Sequence, residues 1–114
     1  MIPPKAERKI RKRLDSIRAW RFAHVAEVPL ELAETMDHFR TPPEKMKYKP
    51  APVGSRSGRH WATVWFHGRI AVPKSCRGRR GFYRMVSSHE KLLFVNGEPF
   101  AGLDRTFYPE VLLV

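Results

Sequence analysis

The stretch Trp61-Ala62-Thr63-Val64-Trp65-Phe66-His67-Gly68-Arg69-Ile70-Ala71-Val72-Pro73 decides how this chain folds. Its period is two. Ala62, Val64, Phe66, Ile70 and Val72 fall on one side, and Trp61, Thr63, Trp65, His67 and Arg69 on the other. Successive side chains of a strand point to opposite faces, so this alternation predicts a half-buried strand over 61–72. Gly68 is where such a strand can bend, and Pro73, which has no N–H to give a ladder, ends it.

Downstream, Lys74 to Arg80 reads as a basic turn, Phe82 to Val86 as a second strand and Leu92 to Val95 as a third. Asn96-Gly97 is a hairpin signal, because a type I′ turn needs positive φ at both central residues. Val111 to Val114 reads as a further strand, and its run to the last residue predicts an unfinished, truncated β unit. Upstream, residues 41–60 carry Pro42, Pro43, Pro50, Pro52, Gly54 and Gly58 without apolar periodicity, the texture of a linker. Ahead of it, Ala6, Ile10, Leu14 and Ile17 share one helical face opposite lysines and arginines, predicting a helix from Lys5 to Trp20. Pro29 can open a second, shorter helical stretch with Leu30, Leu32, Ala33 and Met36 as its apolar residues. The division expected is a helical arm over 1–40, a linker over 41–60 and an antiparallel β unit over 61–114.

With 114 residues, 42% hydrophobic and 11% aromatic, the chain has the composition of one folding domain. One cysteine, Cys76, excludes an internal disulfide and fits a reducing, cytoplasmic setting. No apolar run approaches the ~20 residues of a membrane span, and no membrane partner is expected. The net charge of +11 is concentrated in Lys5, Arg8, Lys9, Arg11, Lys12, Arg13, Arg18 and Arg21, with a second knot at Arg77, Arg79 and Arg80. Such charge raises polyanions as partners.

The chemistry-bearing residues form no recognisable catalytic pattern. His60, His67, Cys76 and His89 offer ligand atoms without the close spacing of a zinc site. Glu90, Glu98, Asp104 and Glu110 are the carboxylates that a glycosidase pair could draw on, but Glu98 follows a hairpin turn and Asp104 lies in a turn-like Gly-Leu-Asp-Arg stretch. The basic helix lacks any base-reading module, so nucleic acid is expected to bind only non-specifically. Trp61 and Trp65, with Tyr83 nearby, could stack on sugar rings or pack against another surface, and the packing role is preferred.

From Pro52 to Val114 the chain resembles the N-terminal β domain of the α-mannosidases of glycoside hydrolase family 38. The resemblance rests on Pro-Val-Gly at 52–54, the strand 61–73, the basic turn, Leu-Leu-Phe-Val-Asn-Gly-Glu-Pro at 92–99, Gly-Leu-Asp-Arg at 102–105 and Glu-Val-Leu-Leu at 110–113. Asn96, Gly97, Gly102 and Asp104 are its motif positions. Ser57 stands where the family pattern has tryptophan, and Val86-Ser87-Ser88-His89 where it has glycines.

The resemblance implies a mainly β fold with an N-terminal helical arm: a partial antiparallel, jelly-roll-like β-sandwich, incomplete here. It implies a parent enzyme that hydrolyses terminal α-D-mannosides with a zinc-type divalent metal, the nucleophile and metal ligands lying in a later barrel domain. On that reading the segment itself has no catalytic residue and no cofactor. Its partner is the remainder of its own enzyme, with homo-oligomers and, through the parent, carbohydrate as further partners. Two alternatives stay open: a small basic nucleic-acid or polyanion-binding module, and a freestanding carbohydrate-binding domain.

Overall fold

A computed structural model describes residues 1–87, 89–104 and 110–114. The chain is mostly strand with one N-terminal helix, arranged as small antiparallel sheets without a closed barrel. That is the fold class expected from the alternating patterns.

Helix α1 spans Pro4–Ala19. Proline occupies its first turn, where the missing N–H would have no partner in any case, and the Ala6 and Glu7 amides donate back to the Pro3 carbonyl. Glu7 and Arg11, one turn apart, pair at 3.0 Å. Ile10, Leu14 and Ile17 form the apolar stripe as the spacing predicts. Among the described residues α1 packs against no strand, and all three side chains are exposed.

Strand β1, Leu30–Thr35, is the centre of a three-stranded sheet, between the two-residue β2, Lys49–Pro50, and β3, Thr63–Gly68. This corrects the second helix expected from Pro29. Leu, Glu and Ala are good helix formers, but β1 pairs with β3 over six residues, from Leu30↔Gly68 to Thr35↔Thr63, and tertiary pairing outweighs that local preference. Because β1 is covered on both faces, Leu32 and the adjacent Ala33 are both buried. No simple alternation marks such a strand.

β3 is also shorter than the predicted 61–72. It stops at Gly68 because its partner stops: Leu30 lies opposite, preceded by Pro29, which has no N–H to extend the ladder. A Cβ on Gly68 would meet Leu30 Cδ2 at 2.7 Å and the Pro29 carbonyl at 3.0 Å. Glycine is therefore what lets the chain pass there.

The remaining strands form two ribbons. β4, Phe82–Arg84, pairs with β7, Glu110–Leu112, and both are shorter than or shifted from the expected 82–86 and 111–114. β5, Lys91–Val95, pairs with β6, Glu98–Leu103. Their connection is the predicted Asn96-Gly97 turn, with φ of 51° and 84°. A register shift between Leu93 and Phe94 then bends the hairpin. Among the described residues only Leu32, Ala33, Leu103 and Thr35 are buried.

Candidate functional site around Trp65

Alternation along β1 and β3 divides their sheet into two faces. Leu30, Leu32, Val64 and Phe66 line one; Glu31, Ala33, Thr35, Thr63, Trp65 and His67 line the other. Trp65 crosses from the second face to the β5–β6 hairpin, its ring 6.0 Å from Phe94 and tilted by 49°. This contact is the bridge between the sheet and the hairpin, and aromatic pairs at such separations contribute beyond the area they bury. The indole Nε1–H is buried without an acceptor, and Glu110 Oε2 on β7 is buried without a donor.

Trp61 does not join Trp65. The expected common face fails because Trp61 precedes β3 in a turn, with φ of 65°, and its side chain is 80% exposed against the His60 ring at 5.1 Å. Tyr83 lies on the β4–β7 ribbon opposite Val111, half-buried, and burial raises its phenol above the usual value of 10.0. The structure thus brings one of the three aromatic candidates, half-buried, against the β5–β6 hairpin, places the second on another ribbon and leaves the third in solvent.

The family-motif positions sit on the hairpin. Asn96 and Gly97 make its turn, Gly102 faces Leu92 across it, and Asp104 follows β6. Asp104 acts on Lys91: burial lowers the lysine pKa, and the Asp104 charge opposes that shift. Lys91 Nζ also donates to Ser87 Oγ at 2.9 Å and to the His89 carbonyl at 2.8 Å, closing the turn before β5.

The ligand-type residues are dispersed. His60 meets Trp61 edge-on; His67 lies on β3 beside Glu31 at 3.8 Å and the Tyr48 ring at 5.7 Å; Cys76 belongs to a short 3-10 turn over Lys74–Cys76. No group of three or more His, Cys, Asp or Glu side chains that could hold a metal comes together among the described residues. The donor set present therefore does not fit the zinc-type ion that the resemblance implies for the parent enzyme. Among the described residues no helix is long and apolar enough to cross a membrane.

One contact had no sequence signal. Glu34 on β1 accepts hydrogen bonds from the backbone N–H and the guanidinium Nε of Arg59, tying the end of the Pro/Gly-rich segment to the sheet. The Arg59 amide and charge hold the Glu34 carboxyl below its ordinary value of 4.5. The two residues are 25 apart in sequence, beyond the reach of any local pattern.

Comparison with known proteins places these features together. Residues 14–114 match a family model described as alpha-mannosidase, jelly roll domain. Mouse alpha-mannosidase 2C1 is 32% identical over 79 residues, covering 62% of this chain and 8% of the mouse protein. The human protein of the same name is 33% identical over 58 residues, 51% of this chain and 6% of its own length. The chain therefore spans less than a tenth of these curated relatives. No solved structure matches.

Proposed function

Since this chain belongs to the alpha-mannosidase jelly roll domain family, we propose that it is an accessory, non-catalytic segment of an α-mannosidase-type glycoside hydrolase, whose open faces dock on the rest of that enzyme. The observation that carries the reading is uncovered surface. The chain exposes 10585 Å², where a compact monomer of 13.3 kDa exposes about 6,500 Å². Its radius of gyration is 17.7 Å, against about 13 Å for a compact domain of this length. The excess is about five times the roughly 800 Å² that one partner contributes to a standard interface. Phe66, Ile70, Val72, Phe82 and Leu92 are among the side chains left exposed. Packing of these faces against a larger body completes the core that the small sheets begin.

In this reading the α-mannoside chemistry, its carboxylates and its divalent metal belong to another part of the enzyme. The surface around Trp65 and Phe94 serves as the interdomain seam. A domain exchange tests it: the matching segment of mouse alpha-mannosidase 2C1 is replaced by residues 14–114 of this chain. The expected result is a folded chimera that hydrolyses α-mannosides, a Trp65→Ala chimera that is destabilised, and no hydrolysis by the chain alone. Hydrolysis by the isolated chain would overturn the non-catalytic assignment. A chimera that folds and works equally well with Trp65→Ala would remove the seam.

A further inference from the structure

α1 is amphipathic, strongly cationic and unpartnered. Its 16 residues carry Lys5, Arg8, Lys9, Arg11, Lys12, Arg13 and Arg18 against Glu7 and Asp15. Its apolar stripe, Ile10, Leu14 and Ile17, is 51%, 47% and 48% exposed. A surface helix ordinarily lays such a stripe on its own domain, yet α1 packs against no strand. The family match begins at residue 14, so six of the seven helix cations, Lys5 to Arg13, precede the matched span. Just beyond the helix, Trp20 is 73% exposed, and Phe22 holds the connection to the body through an edge contact with Phe82 at 5.0 Å.

A partner must satisfy both halves of this surface. Nucleic acid would neutralise the cations and leave the aliphatic stripe in water. A second copy would cover the stripe but oppose two clusters of like charge. An acidic groove on a protein would reach the arginines flanking the stripe, Arg11, Arg13 and Arg18, while Lys5, Arg8 and Lys12 on the far side of the helical wheel stay outside it. An anionic bilayer takes the stripe and the flanking arginines, and its surface potential extends toward the far-side cations that a local acidic groove does not reach. The stripe enters the acyl boundary, Arg13 extends along it to the phosphates, Arg11 and Arg18 do so on leaving their exposed pairs with Glu7 and Asp15, and the far-side cations remain near the range of the surface potential.

We propose that α1 is an interfacial helix that binds anionic lipid surfaces, inserting Ile10, Leu14 and Ile17 beneath a cationic belt. The helix lies on the membrane and does not span it. This inference goes beyond the accessory role and does not depend on it.

The test is co-sedimentation of the full chain with phosphatidylcholine vesicles that either lack phosphatidylserine or contain about one-third of it. Binding is expected only with phosphatidylserine, and it should weaken as ionic strength rises, since screening shortens the reach of surface charge. Leu14→Glu should weaken partition about tenfold or more, because it removes a buried aliphatic group and adds a repelled charge. Leu14→Ala, which leaves the charge of the helix unchanged, should keep its retention on heparin, which reads charge alone. Circular dichroism verifies that Leu14→Glu remains folded, and Leu14→Ala gives a milder version of the same loss. Vesicle binding that ignores both Leu14 variants would overturn insertion. Failure to bind phosphatidylserine vesicles, with retention on immobilised polyglutamate, would overturn the lipid assignment in favour of an acidic protein groove.

Discussion

At the scale of single residues, two titrating groups report on contacts that hold this chain together. Glu34 has its carboxyl lowered by the Arg59 amide and guanidinium. A depressed acid stabilises the fold above its unfolded value and loses that contribution as pH falls through the folded one. The thermal midpoint should therefore drop as pH is taken below about 4.5, and Glu34→Gln should flatten part of that acid limb. An unchanged acid limb in Glu34→Gln would show that the tether contributes nothing. Tyr83 has the opposite sign. Burial raises its phenol, so the unfolded chain ionises first and stability falls once pH exceeds about 10. Tyr83→Phe should remove part of that alkaline loss, read by melts across the range, while ultraviolet titration should show Tyr83 ionising late together with Tyr48, whose phenol burial also raises. Neither contact was legible in sequence. Glu34 and Arg59 are distant partners, and Tyr83 is buried by a ribbon whose second strand lies nearly thirty residues on.

At the scale of elements, what was legible is what local chemistry alone determines. Asn96-Gly97 announced the β5–β6 turn because few residue pairs accept positive φ twice. Gly97 sits at φ of 84° with open space where a Cβ would go, so its requirement is one of backbone conformation and not of crowding. Gly97→Ala should consequently cost about 1 kcal/mol or slightly more, measured by denaturant unfolding. Asn96→Gly should be nearly neutral by the same measurement, since glycine accepts that φ freely. Helix α1 was equally legible, from proline in its first turn and one apolar face. β1 was not. Leu30-Glu-Leu-Ala-Glu-Thr35 has helix-forming composition, and only the pairing with β3 makes it a central strand covered on both faces. The same pairing sets where β3 begins and ends, so the sequence period correctly sorted Val64 and Phe66 from Thr63 and Trp65 but overran at both ends. Trp61 was lost from the shared face because nothing local marks a tryptophan for the left-handed region.

For the whole molecule, the decisive property is the contest between exposed apolar surface and charge. About 4,000 Å² beyond the area of a compact monomer is uncovered. Among the described residues, the edges at β3 and on both ribbons pair with no further strand and add open backbone groups. Both favour association of one chain with another when no larger body covers them. The net charge of +11 opposes it, and that repulsion is screened over about 10 Å at 0.1 M salt. Self-association of the isolated chain should therefore increase with ionic strength, whereas attraction of α1 to an anionic surface should decrease. Sedimentation velocity over a range of salt and protein concentration reads the first dependence. The expected signature is a mass average that climbs with both, accompanied by binding of a hydrophobic dye and a broad unfolding transition. A salt-independent monomer that unfolds sharply would mean that the small sheets already enclose a sufficient core. The exposed faces would then be ordinary surface, and docking would need another cause.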